Sequence, residues 1–301
     1  MPRVVKADWK PGSPLTVYSM DDPGEDALGT IAIPVRDHIN AATTTSLIGT
    51  DFSWVPKGKS LRRKIIQGGI LTLQRNEAIQ RMEGDWLLFI DDDMVWRPEA
   101  VAQLVAIREE LDLDMVGGLC FRRTPPHQPT LYMREHPTEG PYNFLEKWDS
   151  DVVEVDATGL AFCLIHKRVF ERIAGTPMPP LAERSAVGPP QFFSWQGRLG
   201  EDLRFCQDAK SSGSKIYVDT RIEIGHIAEM EIGYREFLQQ VALREPDVEE
   251  VRRSVNDTMG LATMTSAEAQ EKLGWQLHTE KTERSGSTDL PGPTGSAIDS
   301  M

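Results

Sequence analysis

Residues 85–96 read DWLLFIDDDMVW, from Asp85 to Trp96. The apolar run Leu87 to Ile90 is too short for an independent helix and reads as a buried strand. It stops at three consecutive carboxylates, Asp91, Asp92 and Asp93. Adjacent anions repel one another, so such a triplet belongs either in a solvated turn or around a hard divalent cation. Side chains alternate across the pleat, so Asp91 and Asp93 share one side and Asp92 faces the other, and one face offers two carboxylates. A solvated acidic turn between a strand and a helix and a D-x-D metal site are the two readings of this stretch taken alone.

The chain of 301 residues is long enough for a sizeable core, and 40% hydrophobic residues with seven Trp fit a globular protein. A formal net charge of -13 argues against a broad, non-specific nucleic-acid surface. Cys120, Cys163 and Cys206 are odd in number and widely spaced, with no C-x-x-C pair. Core thiols in a reducing compartment are therefore expected rather than a disulfide framework or a zinc site. MPRVVKADWK has no apolar signal region and no stretch approaches a membrane span, which gives a soluble, cytoplasmic expectation.

Outward from the acidic triplet, strand and helix patterns alternate. Residues 1–28 are polar and punctuated by Pro and Gly, and are expected to form an arm. TIAIPVR (30–36) reads as the first strand, closed by Pro34, followed by a helix over 38–47 capped by Asp37. A further strand is expected near Phe52 to Val55. Lys57, Lys59, Arg62, Arg63 and Lys64 form either a solvated face or a contact for an anionic acceptor. Helices are expected over 70–82 and after Pro98, where Val101, Leu104, Val105 and Leu111 recur at helical spacing. Strand patterns follow at 114–118, 151–155 and 159–165, the last running into HKRVFERI. The aromatic, Pro-rich segment 121–150 reads as an irregular excursion at the rim of a site, from which Arg122, Arg123 and His127 could reach a ligand. Pro177 to Pro190 excludes a long helix, and the QFFSWQGR that follows reads as a lid or acceptor loop, with Phe192, Phe193 and Trp195 as stacking platforms or as anchors in the core. Glu201 and Asp202 open a helix that Gly213 ends, and YVDT with IEIGHI reads as a strand pair. The sum is an α/β sandwich of three layers, α/β/α, on a mixed central sheet.

The order of strand, D-x-D turn, Gly turn, E-D helix start and G-H resembles the GT-A fold (Rossmann-like) glycosyltransferases that use nucleotide sugars. The resemblance implies a catalytic domain over 29–228, a C-terminal helical extension over 229–278 and a disordered tail over 279–301. It places Pro34 and Arg36 at the nucleotide, and Arg75 and Asn76, an "aRN" element, at the diphosphate. It sets Asp91 and Asp92 beside the donor, and Gly159 in a turn against the donor sugar. Asp91, Asp93 and His226 would converge on Mn²⁺ or Mg²⁺, with Asp93 the preferred direct ligand and Asp91 alternatively at the ribose. Asp202 would be the catalytic base of an inverting reaction, with Glu201 the alternative, and a retaining outcome is open on the same scaffold.

The implied reaction moves a sugar from a nucleoside-diphosphate sugar, a UDP-sugar being favoured, to a hydroxyl acceptor on protein, glycan or modified DNA. The compact G-E-D, V-D-T and G-H arrangement also resembles bacteriophage-encoded glycosyltransferases, which would make virion protein or modified DNA the acceptor and the host cytoplasm the location. The C-terminal helices could support a homo-oligomer. Two rivals differ in class. A sugar-nucleotide nucleotidyltransferase calls for a Gly-rich loop after its first strand, where this chain has IPVRDHIN. A non-catalytic nucleotide- or carbohydrate-binding protein would need no base.

Overall fold

Trp86–Ile90 is a strand with all five residues buried, flanked on both sides by other strands. The computed structural model describes residues 3–6, 15–21, 26–135, 140–187, 191–194 and 199–228. The strands are β1 (Arg3–Lys6), β2 (Thr16–Asp21), β3 (Asp26–Val35), β4 (Lys59–Gln67), β5 (Trp86–Ile90), β6 (Met94–Val95), β7 (Met115–Leu119), β8 (Leu131–Arg134), β9 (Tyr142–Phe144), β10 (Val152–Val155), β11 (Ala157–Thr158), β12 (Phe162–His166), β13 (Ile216–Glu223) and β14 (Gly225–His226). The helices are α1 (Ala41–Gly49), α2 (Leu71–Gln80), α3 (Ala100–Glu110), α4 (Lys167–Ala174), α5 (Leu181–Val187) and α6 (Glu201–Ser211). Nine strands form a mixed sheet in the order β1-β2-β4-β3-β5-β12-β7-β13-β10. A small sheet, β11-β8-β9, and a two-stranded ribbon, β14-β6, complete the described residues.

Alternation along β5 explains the layers. Leu87 and Phe89 join Ala78 and Ile79 of α2, Val169 and Phe170 of α4, and Phe205 of α6 in one core. Trp86, Leu88 and Ile90 join Val101, Leu104 and Val105 of α3, with Leu47 of α1 packed alongside, in the other. A strand buried on both faces must be apolar throughout, and β5 is. The expected α/β/α sandwich on a mixed sheet is therefore what the chain forms. β3 pairs in parallel with both β4 and β5, while β12 pairs antiparallel with β5. Because α1 and α2 leave for opposite faces, the carboxyl ends of β3 and β5 open into a crevice, the usual ligand position in open α/β sheets.

Several sequence expectations are corrected. The stretch 1–28, expected as an arm, supplies two strands and the start of a third, and β2 pairs antiparallel with β4 through a buried Val17. Its alternating, β-prone TVYSM outweighs the polar neighbours. Pro34 lies inside β3 rather than closing it. The β5 ladder ends at Ala32–Phe89, so the sheet tolerates a residue lacking N–H beyond that point. Asn40, not Asp37, caps α1, its side chain accepting from the Ala42 N–H at 2.9 Å. Phe52 to Val55 is a turn, and the strand is the basic run itself. Lys59 pairs with Asp26 at 3.3 Å, Arg62 with Glu83 at 3.1 Å and the buried Lys64 with Glu83 at 3.2 Å. These cations are committed within the fold. The 121–150 excursion contains β8 and β9, and a short helix, α5, interrupts the Pro-rich segment. YVDT and IEIGHI lie on one irregular strand followed by β14, not on a strand pair. The extension at 229–278 and the tail at 279–301 lie outside the described residues, as does Trp195.

Helix α2 buries polar residues beside its apolar ones, Ala78 and Ile79. Gln74, Arg75 and Asn76 are buried, whereas Ile70 just before it and Leu73 on it are exposed. Buried polar groups are tolerated when bonded: Gln74 Nε2 donates to the carbonyls of Val35 (2.6 Å) and Gly68 (2.9 Å), whereas Arg75 Nε has no hydrogen-bond partner among the described residues. The three cysteines are free and buried, and burial pushes the Cys206 thiol up to about 12. Among the described residues, no helix is long and apolar enough to cross a membrane.

Close packing at the base of β3 gives a matched test. A Cβ on Gly29 would stand 2.2 Å from the Trp86 ring, whereas one on Gly49 would meet nothing within 4 Å. Gly29→Ala is expected to destabilise by about 3 kcal/mol through overpacking, and Gly49→Ala to be neutral or to stabilise by about 0.5 kcal/mol, both read by urea unfolding. A second test concerns His166, which caps α4 by accepting from the Arg168 N–H at 3.1 Å. Burial, helped by Arg108 and Arg168, lowers its pKa to about 4. The unfolded chain binds this proton near pH 6.5, so the contribution of neutral His166 is complete above that pH and is lost as the pH falls from 6.5 towards 4. His166→Asn keeps a capping acceptor and is expected to remove that part of the pH dependence of unfolding.

Candidate active site

Once β5 ends at Ile90, three different elements pin the backbone of the acidic triplet. The Asp91 N–H donates to the Ala161 carbonyl ahead of β12 (2.8 Å). The Asp92 carbonyl accepts from the Asn40 N–H at the start of α1 (2.9 Å), and the Asp93 carbonyl from the Ile227 N–H after β14 (2.9 Å). The chain has left strand geometry here, so the expected alternation of side chains does not hold. Asp91 turns towards the interior, where Arg75 Nη2 donates to Oδ1 at 3.3 Å. Asp92 accepts from the Arg36 N–H at 3.4 Å. Its pKa is raised, chiefly by burial, with repulsion from Asp93 and Asp91 adding to it.

Asp93 meets the imidazole. β6 follows it directly and pairs antiparallel with β14, opposing Met94 to His226 and Val95 to Gly225. His226 Nε2 stands 3.3 Å from Asp93 Oδ2, and Nδ1 is 2.7 Å from the Phe121 carbonyl. A carbonyl only accepts, so Nδ1 carries the hydrogen and Nε2 is the nitrogen left facing the carboxylate. A neutral ring would then set two acceptors face to face, a contact that needs a proton or another cation nearby. The His226 pKa responds accordingly: burial alone would lower it, but Asp93 and the Phe121 carbonyl carry it above its usual value. Arg123 supplies a further cation, with Nη1 donating to Asp93 Oδ2 at 3.0 Å from an exposed side chain.

Two cavities flank this pair. One, of about 590 Å³, is lined by Pro34, Arg36, Gly69, Ile70, Leu71, Gln74, Asp91, Asp92, Asp93, Arg123 and His226. The other, of about 410 Å³, shares Arg36, Asp92, Asp93 and Arg123 and adds Asp37, His38, Asn40, Thr124, Ile227 and Ala228. The first has apolar lining from Pro34, Ile70 and Leu71 as well as the acidic triplet. The second is polar.

The structure thus joins Pro34, Arg36, Asp91, Asp92, Asp93 and His226 in one crevice, but not as a three-ligand cluster. Among the described residues, no three of His, Cys, Asp and Glu assemble to hold a metal. Asp91, expected as a ligand beside Asp93, is held by Arg75 instead. Asp93 and His226 do suit a cation. Adjacent ligands in an octahedral shell with bonds of about 2.1 Å stand about 3 Å apart, close to the 3.3 Å observed.

Arg75 and Asn76 do not line either cavity, contrary to their expected place at the diphosphate. Asn76 clamps Phe193, donating to its carbonyl (2.8 Å) and accepting from its N–H (3.0 Å). Phe193 is buried and stacks on Phe205 at 4.6 Å, while Phe192 packs against Phe170 at 5.3 Å, so both anchor the core instead of offering stacking platforms. Gly159 lines neither cavity. A Cβ there would stand 3.3 Å from Thr130 Oγ1, so its small size serves packing against Thr130. Of the rim residues, Arg122 lies over the Phe144 ring at 5.4 Å and His127 Nδ1 bonds within the loop to the Arg122 carbonyl, leaving Arg123 at the cavity.

Glu201 and Asp202 form the first turn of α6. Glu201 is bonded to Arg75 Nη1 at 3.1 Å. Asp202 Oδ1 accepts from the Leu203 N–H at 2.7 Å, and no salt bridge to it is found among the described residues. Burial raises the Asp202 pKa, Arg75 opposes that and Glu201 adds to it, for a net rise. The residues missed in the sequence are Asn40, Ile70, Leu71 and Gln74. Only Asn40 had a local signal, as a capping residue before ATTTSL.

Residues 66–174, from the end of β4 to the end of α4, match the model of "Glycosyl transferase family 2". Comparison with curated proteins finds no match. Among solved structures, the chain is similar to A197 from STIV, with 15% identity over 66% of this chain and 86% of that one and a TM-score of 0.40. It is also similar to S. aureus TarS 1-349, solved in complex with UDP-GlcNAc, with 13% identity over 82% of this chain and 76% of that one and a TM-score of 0.42. The matched segment includes the acidic triplet, whereas Glu201, Asp202 and His226 lie beyond it. Over 66–174 the chain is thus similar to glycosyl transferase family 2, and that segment is carried on a mixed sheet flanked by helices on both faces.

Proposed function

We propose that this chain is a cation-dependent glycosyltransferase that moves a sugar from a nucleoside-diphosphate sugar, preferably a UDP-sugar, to a hydroxyl on protein, glycan or modified DNA. The observation that carries the reading is the contact of Asp93 with His226 in the lining of a cavity of about 590 Å³ that two exposed arginines, Arg36 and Arg123, also line. The cavity has room for a nucleotide, its apolar lining suits a base, and Arg36 and Arg123 suit a diphosphate. Asp93 and His226 would hold Mn²⁺ or Mg²⁺, whose chemistry is to neutralise charge growing on the departing diphosphate.

The chain's own residues supply the rest. The acceptor oxygen attacks the anomeric carbon as the bond from that carbon to the diphosphate oxygen breaks, and the diphosphate leaves with the bonding pair. The acceptor's proton passes to Asp202. Neither acid opening α6 lines the two cavities; of the two, Asp202 suits this role because no guanidinium is bonded to it and burial raises its pKa, whereas Glu201 is committed to Arg75.

Two measurements test the reading. With Mn²⁺ held saturating, UDP at about a hundred times its Kd is expected to add about 2.7 kcal/mol of stability, seen as a rise in Tm. Asp93→Ala and His226→Ala should each abolish the Mn²⁺-dependent part. A panel of UDP, GDP, CDP and dTDP that gives no shift would end this account, and a shift indifferent to chelator would favour a non-catalytic nucleotide binder. In transfer assays, Asp202→Asn is expected to lower kcat by about 10²- to 10⁴-fold while leaving UDP binding in place. Full transfer by that variant would remove Asp202 from the reaction.

A further inference from the structure

Arg75 is the most deeply placed cation near the crevice, with its side chain 3% exposed. Nη2 reaches Asp91 Oδ1 at 3.3 Å and Nη1 reaches Glu201 Oε1 at 3.1 Å, so one guanidinium joins the acidic triplet to the first turn of α6. Its carbon lies 5.7 Å from the centroids of both Phe89 and Phe193, and Phe193 stacks on Phe205 of α6. The next residue, Asn76, holds both backbone groups of Phe193. This single turn of α2 therefore fixes the donor end of β5, the segment 191–194 and the start of α6 relative to one another.

A planar fork suits this task. Its two Nη groups reach two carboxylates in fixed directions, which a single ammonium on a flexible stem cannot reproduce. Burial opposes the charge, but Asp91, Glu201 and Asp202 together raise the Arg75 pKa, so the cation is held firmly.

We infer that Arg75 is a positioning residue that acts through Glu201 to set the first turn of α6, and with it Asp202, against the donor end of β5, without touching the donor itself. This inference rests on the glycosyltransferase reading above. It assigns Arg75 a mechanical link between the donor and acceptor sides of the reaction and removes it from the diphosphate. A displacement of about 1 Å at a reacting group costs about 10²-fold in rate, so the link should be visible in kcat.

The test compares the full chain with Arg75→Lys, Glu201→Ala, Glu201→Gln and the Arg75→Lys/Glu201→Ala double variant, using UDP with Mn²⁺ as the binding probe. Arg75→Lys and Glu201→Ala are each expected to lower kcat by about 10²-fold, with donor KM and UDP affinity within about twofold. The double variant should be no worse than either single one, as for two members of one linkage. Glu201→Gln, whose amide oxygen can still accept from Arg75, should recover most of the rate lost in Glu201→Ala. Hydrogen exchange gives a readout independent of turnover: amides of residues 201–205 should lose protection in Arg75→Lys. Parental kcat in Arg75→Lys, multiplying effects in the double variant, or loss of UDP affinity equal to the loss of kcat would overturn the positioning role. Should Arg75→Lys fail to fold, Glu201→Gln no better than Glu201→Ala would overturn it instead. If the parent chain binds no UDP and transfers no sugar, the glycosyltransferase reading fails and the catalytic role of Arg75 falls with it, while the exchange result still shows whether the mechanical link exists.

Discussion

The site depends on how the chain leaves a buried strand carrying three negative charges. Leu87 to Ile90 are packed on both faces, so the strand cannot shift to relieve repulsion among Asp91, Asp92 and Asp93. Each carboxylate is instead drawn to a different partner: Asp91 inward to Arg75, Asp92 to the backbone after β3, and Asp93 to Arg123 and His226. The triplet is therefore not one cluster but three addresses. One belongs to the interior linkage, one to the crevice wall and one to the candidate cation position.

That division of labour explains why long stretches of chain are needed around a short motif. The ribbon of Met94–Val95 with Gly225–His226 exists to bring a distant imidazole beside Asp93, and the Phe121 carbonyl then decides which ring nitrogen faces it. Ordering so many separated segments costs conformational entropy, which the two apolar cores must offset. The buried polar residues of α2 belong to the same design. Gln74, Arg75 and Asn76 are buried because each ties a separate loop or helix to the sheet, and a helix laid down only for its apolar face could not do so.

Much of the architecture is legible in the sequence because burial on both faces leaves a plain record. The apolar runs at 87–90, 114–118 and 159–165 read as strands, and the helical spacing of Val101, Leu104 and Val105 marks a covering helix. The acid pair before Leu203 and the G-H after Ile224 are likewise readable as motifs. Pairwise geometry is not readable. Nothing local says that Asp91 will turn from Asp93, because alternation applies only while the backbone remains a strand, and it stops at Ile90. The basic run at 59–64 looked solvent-facing because charge usually is, yet its parallel pairing with β3 buries Lys64 beside Glu83. Gly159 looked functional by motif, and its neighbour Thr130 accounts for its size.

The central claim is that Asp93 and His226 share a cation that holds a nucleoside diphosphate. Pulsed electron paramagnetic resonance of Mn²⁺ bound to the chain with UDP tests it most directly, because it detects nuclei bonded to the metal. The account predicts modulation from one imidazole nitrogen and from phosphorus, with the nitrogen signal lost in His226→Gln. Bound Mn²⁺ with phosphorus coupling but no nitrogen coupling in the parent chain would contradict it.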